Sequence, residues 1–158
     1  MLNKKLIAIG LSLILILIAS CGGDKDVKKV TAKETSNKTQ VSNKRWYSTS
    51  QIMRGKKVFK DNCAECHGEN GQGLVADWKK QQPDGKFPAP PLNGTAHAWH
   101  HSMEILLRTV NNGGIALGGT MPAFKDKLTD VEKEAVLAYV MSLWPDQVYD
   151  AWAKRNLK

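Results

Sequence analysis

The chain has 158 residues, of which 42% are hydrophobic and 7% aromatic, enough for one folded domain with segments to spare. Its formal net charge of +8 is unevenly spread: residues 22–45 carry seven Lys/Arg against three Asp/Glu, while residues 46–158 carry fourteen against twelve. The basicity therefore belongs mainly to a linker, and neither a nucleic-acid partner nor a basic docking face is expected of the folded part.

In chain order, the first segment reads as a targeting signal. Lys4 and Lys5 form a positive start, and Leu6 to Ile18 are apolar apart from Gly10 and Ser12,. These 13 residues fall short of the roughly 20 that cross a bilayer comfortably. The run is thus a signal-peptide core, with an uncleaved short anchor as the other reading; either leaves the rest of the chain outside the cytoplasm. Ile18-Ala19-Ser20-Cys21 resembles a bacterial lipoprotein signal. That resemblance implies removal of residues 1–20, a lipid on Cys21, and an extracytoplasmic protein held at the membrane (the periplasmic face in a Gram-negative cell). Residues 21–45 then form a tether rich in Lys, Ser and Thr. Its residues 22–45 hold no aromatic and three valines, too little apolar surface to offset the entropy of ordering. A coil of that length spans about 25–30 Å.

The folded domain is expected over residues 46–158, with no internal repeat. Ser48 and Gln51 form a capping box that opens a helix running to about Asn62, with Ile52, Val58 and Phe59 on its buried side. Residues 68–95 are rich in Gly, Pro and Asn and read as loop, with one helical turn near residues 75–79. A second helix starts after Ser102 and stops at Asn111-Asn112-Gly113-Gly114,. The third opens on the capping box Thr129–Glu132 and places Val131, Ala135, Val136, Ala138, Tyr139 and Leu143 at helical spacing. Pro145 interrupts it, and residues 147–154 suit a short terminal helix. Nothing alternates with a period of two, so the fold class is all-α, with three to five helices and long loops.

The chemistry is concentrated in Cys63-Ala64-Glu65-Cys66-His67, the attachment pentapeptide of c-type haem. Two thiols add to the two vinyl groups of one porphyrin, and the two intervening residues let a single helical turn reach both. The adjacent histidine then comes under the iron as an axial ligand. Other readings of the cysteine pair are weaker. A zinc half-site would need two further ligands from His97, His100 and His101, and a thioredoxin-like pair would need a βαβ pattern that is absent. Gly68 to Gly73 has nucleotide-loop glycine spacing, but no strand precedes it. One haem c on Cys63 and Cys66, with a lipid on Cys21, uses all three cysteines, so no disulfide is expected.

With these residues in place, residues 51–144 resemble the class I (mono-haem) cytochrome c family. The likeness rests on Gly55-Lys56-Lys57-Val58-Phe59 ahead of the haem motif and Val136-Leu137-Ala138-Tyr139-Val140 in the last helix. It implies a close crossing of these two helices, with Tyr139 as the aromatic partner of Phe59. Pro90-Pro91-Leu92-Asn93-Gly94 resembles the family's loop in which a proline carbonyl, here that of Pro90, holds the ring of His67. Gly118-Gly119-Thr120-Met121-Pro122 resembles the distal loop, which implies Met121 as the second axial ligand beside His67. Met53, Met103 and Met141 fall in helices as core filler.

Two filled axial positions imply a carrier and not an enzyme: a monomer passing single electrons between redox protein donors and acceptors. Two other readings stand beside it, a haem subunit of a membrane oxidoreductase complex and a haem sensor or enzyme whose Met121 is displaced. The stretch Ala96-His97-Ala98-Trp99-His100-His101 reads as a polar loop with Trp99 over the haem edge, against a copper or zinc site or an alternative haem ligand.

Overall fold

The structure is a computed structural model, and it describes residues 45–157. The expected signal segment, Cys21 and the expected tether up to residue 44 lie outside the described residues. Within them, the helices are α1 (Thr49–Asn62), α2 (Ala64–His67), α3 (Met103–Asn112), α4 (Asp130–Ser142) and α5 (Asp146–Asn156). Short 3₁₀ turns occupy Ala98–His100 and Ile115–Leu117. Among the described residues there is no strand, only an isolated parallel bridge between Phe87 and Gly119. The fold is all-α, as the patterning implies. No helix among the described residues is long and apolar enough to cross a membrane.

Local chemistry starts the helices. At α1 the Ser48 hydroxyl accepts the Gln51 N–H at 3.3 Å while Gln51 Oε1 accepts the Ser48 N–H at 2.9 Å. Thr129 and Glu132 repeat the arrangement at α4, and Ser102 alone caps α3. Each satisfies backbone donors that a helix start otherwise leaves open. At residues 75–79 the structure has turns at 76–79 and no helix.

Packing centres on the crossing of α1 and α4. A Cβ built on Gly55 would lie 1.8 Å from the carbonyl oxygen of Ala135, so the two backbones touch where the side chain is missing. One turn further along, Phe59 meets Tyr139 with ring centroids 5.2 Å apart. Helix α4 is buried continuously from Ala135 to Met141, as expected of a helix covered on all sides. Val131 departs from the periodicity reading: it is 56% exposed, because the first turn of α4 precedes the crossing.

The C-terminal helix is longer and better held than its sequence suggests. Tyr149 and Trp152 are buried, the Trp152 indole N–H donates to the His101 carbonyl at 2.8 Å, and Arg155 donates to the Trp99 carbonyl at 2.9 Å. Arg45, the last residue of the expected tether, is part of this packing. It donates to the Met141 carbonyl at 2.9 Å, pairs with Asp146 and lies 4.2 Å from the Tyr149 ring centroid. A cation at the end of α4 is placed where the helix dipole and open carbonyls favour it.

Because the atom facing Gly55 is backbone, it cannot swing aside for a methyl group. Gly55→Ala is expected to cost ~3 kcal/mol or more, seen as a lower urea midpoint in far-UV circular dichroism of the purified protein. An unchanged midpoint would show that the crossing opens freely.

Candidate haem-binding site

Helix α1 ends at Asn62, and Cys63 turns the chain into the single turn of α2. The Cys66 and His67 N–H groups both donate to the Cys63 carbonyl, at 3.1 and 2.9 Å. Cys63, Cys66 and His67 therefore occupy neighbouring positions of one helical turn. Gly68 ends the turn at φ 78°, a left-handed value that favours glycine.

The loop that follows folds back against this turn. The Gly73 N–H donates to the His67 carbonyl at 2.7 Å, and the Leu92 and Asn93 N–H groups both donate to Gly71 at 2.6 and 3.1 Å. That brings the proline-rich segment under the histidine: Nδ1 of His67 lies 2.8 Å from the Pro90 carbonyl oxygen. A carbonyl only accepts, so Nδ1 carries the proton and donates it, leaving the Nε2 lone pair for a metal. Burial holds the imidazole below its ordinary pKa, against the opposing pull of the Pro90 bond, so the neutral ring is the favoured form. Burial also pushes the Cys63 thiol up to about 11, with Cys66 adding to the shift. Cys63 is half-buried and Cys66 exposed, and neither forms a disulfide.

Beside this turn lies a cleft of about 260 Å³ whose walls include Leu74, Val75, Phe87, Pro88 and Ala89. Cys66 and Thr120, the chain neighbours of His67 and Met121, also line it. Met121 is half-buried against the core, on a loop that leaves α3 at Gly113. The Gly114 N–H donates to the Met121 carbonyl at 2.9 Å, and the Phe87 N–H donates to Gly118 at 3.0 Å. The wall carrying Phe87 and the loop carrying Met121 are thus joined. Two thiols one turn apart, an imidazole with a free Nε2, an apolar cleft and a thioether on the joined loop are a donor set that fits a porphyrin iron.

Trp99 is partly buried against the hydrophobic core; it packs against His100 with centroids 3.8 Å apart and lies 5.4 Å from the Arg155 guanidinium of α5. His97 stacks on Trp78 at 5.1 Å and meets His101 edge-on at 5.4 Å. Burial and the neighbouring His101, His100 and Lys79 hold the His97 pKa down. Among the described residues, no three His, Cys, Asp or Glu side chains are arranged to hold a metal ion. The sequence reading missed the cleft walls; their one signal is Phe87, an aromatic residue inside a proline-rich loop.

Comparison with known proteins bears on this arrangement. Residues 50–140 match the family described as cytochrome C oxidase, cbb3-type, subunit III. A cbb3-type cytochrome c oxidase subunit CcoP of Azospirillum brasilense is 34% identical over 101 residues, covering 64% of this chain and 31% of that protein. A FixP subunit from Sinorhizobium medicae (strain WSM419) is 33% identical over 101 residues, covering 58% and 30%, and a CcoP from Rhodobacter capsulatus is 31% identical over 96 residues, covering 56% and 28%. The chain spans less than a third of the length of these relatives. No solved structure matches it. With more than half of its length inside the family match and a c-type haem motif at its centre, the chain belongs to the cbb3-type cytochrome c oxidase subunit III family of class I c-type cytochromes.

Proposed function

We propose that this domain is the haem-bearing, electron-transferring part of a membrane oxidoreductase complex of the cbb3 oxidase type. The observation that carries the haem chemistry is the Cys63–His67 turn, with His67 held in one tautomer by Pro90. The subunit reading rests on the family match and on the relatives being CcoP and FixP subunits, which favour it over a free shuttle. Anchoring through a lipid on Cys21 is part of the proposal and is supported by the sequence Ile18-Ala19-Ser20-Cys21.

Haem c, when bound, supplies a one-electron iron couple. Cys63 and Cys66 would hold it through two thioethers, one haem per chain. His67 would offer Nε2 to the iron, and the Pro90 carbonyl fixes the plane of that ring and raises its basicity. Met121 would offer its sulfur from the loop joined to the Phe87 wall, and thioether ligation favours the reduced state relative to a second imidazole. Leu74, Val75 and Phe87 would give the porphyrin an apolar wall. With His67 and Met121 both on the iron no position would be left for a substrate, so the domain itself would pass electrons and perform no bond chemistry.

Three outcomes are expected. The purified protein keeps one haem mass on the chain through denaturation, and Cys63→Ala with Cys66→Ala abolishes it; covalent haem persisting in that double variant would overturn the attachment. The oxidised protein shows the weak far-red band of sulfur ligation and its reduced form resists carbon monoxide, whereas Met121→Ala loses the band, binds carbon monoxide and has a lower potential. Rapid carbon monoxide binding by the unmutated protein would instead point to a sensor or enzyme. Finally, affinity purification of a C-terminally tagged chain from solubilised membranes recovers oxidase subunits in fixed ratio. Recovery of the cytochrome alone, fully reducible by soluble donors, would restore the free-carrier reading.

A further inference from the structure

Lys133 is a buried cation that the haem chemistry does not use. Its side chain is 7% exposed, in the acidic start of α4 just ahead of the continuously buried run from Ala135 to Met141. Nζ lies 2.8 Å from the Asp130 carboxylate, but that carboxylate is 94% exposed, and an ion pair with so solvated a partner offsets little of the cost of burying an ammonium. The second partner is inside: Nζ donates to the Asn111 side-chain oxygen at 2.9 Å. An apolar side chain would serve the packing of α4 as well, so the buried charge calls for a role in positioning.

Asn111 stands in the last turn of α3, where the Met121 loop leaves and returns. The Phe124 N–H donates to the Val110 carbonyl at 3.0 Å, and the Lys125 N–H donates to the Asn111 carbonyl at 3.2 Å. Between these anchors the Gly114 N–H holds the Met121 carbonyl. Gly113, at φ 72°, lies so close that a Cβ there would be 2.5 Å from the same oxygen. The backbone of Met121 is therefore seated on the two glycines that follow Asn111-Asn112. Lys133 grips the root of that seat from α4.

We propose that Lys133 and Asn111 are positioning residues for the distal ligand, tying the Met121 loop to α4 so that the sulfur stays on the iron. The proposal rests on Met121 being that ligand. Its test uses the full-length haem-loaded protein. Lys133→Met removes the donor and keeps the volume; Asn111→Leu removes the acceptor, leaves the Lys133–Asp130 pair intact and serves if the first variant does not fold. Asn111→Asp keeps an acceptor oxygen and is the rescue control. The readouts are thermal loss of the far-red band, compared with loss of helicity in the same sample, and the rate of carbon monoxide binding to the reduced protein.

In Lys133→Met and Asn111→Leu the band is expected to vanish well below the helical melt. Carbon monoxide should bind roughly tenfold faster or more, the population change that loss of a bond to a charged donor corresponds to. Asn111→Asp should behave as the unmutated protein. A band that persists to the helical melt in both disrupting variants, with an unchanged carbon monoxide rate, would overturn the proposal and show Lys133 to be structural only. Equal behaviour of Asn111→Leu and Asn111→Asp would also overturn it, since the acceptor would then be irrelevant. If the unmutated protein lacks the band, Met121 itself is not the ligand and the proposal falls with it, an outcome distinct because it appears before any substitution.

Discussion

Contact between the backbones of α1 and α4 at Gly55 and Ala135 sets the position of everything that follows in the chain. With no Cβ between them the helices approach as closely as their main chains permit, and Phe59 is carried onto Tyr139 one turn later. The end of α1 is then fixed by packing, and Cys63 leaves it from a defined place. A larger residue at the crossing would move the first thiol together with the helix that delivers it. The interior tolerates little such displacement, because side chains from Val136 to Met141 already fill the space around α4,.

Helix α2 is too short to hold itself together, since a single turn fixes several residues for very few hydrogen bonds. Its order is borrowed from the loop after it, through bonds onto His67 and Gly71 and the clasp between His67 and Pro90. A segment without regular structure thus acts as the second wall of the site. The small apolar core around it is a reason why a bound porphyrin would matter for stability as well as for chemistry: a domain of this size buries a limited fraction of its surface, and a large apolar group would make up part of the deficit.

Features written in a few consecutive residues could be read from the sequence. The capping boxes at Ser48 and Thr129, the stop at Asn112-Gly113, the haem pentapeptide and the proline loop all depend on neighbours within a handful of positions. Gly55, Phe59, Tyr139 and Pro90 were legible by likeness to a family, and the structure brings each pair together. What could not be read depends on partners far along the chain. Arg45 looks like one more basic residue of a polar tether until Met141, Asp146 and Tyr149 are beside it. Lys133 looks like a solvent-facing lysine of an acidic helix start, although its side chain is buried and its ammonium donates to Asn111 of α3. Trp99 has an aromatic residue's usual claim on a haem edge, and nothing local reveals its contact with Arg155 of α5.

The joining of Phe87 to Gly118 also constrains how the site works. Pro90, which orients His67, lies three residues beyond Phe87; Met121, the proposed opposing ligand, lies three beyond Gly118. The two loops therefore share one backbone contact at nearly the same distance from their functional residues, and displacement of either is felt by the other. A carrier benefits from that arrangement because both oxidation states then meet the same ligand geometry, and little has to move when the electron arrives or leaves. The same joint makes the distal loop poorly suited to swing open for a gas or a substrate, since doing so would pull on the wall that braces the histidine. The shared bond between the two loops thus supports the proposed reading of this domain as a conductor of electrons over one in which the distal loop is displaced.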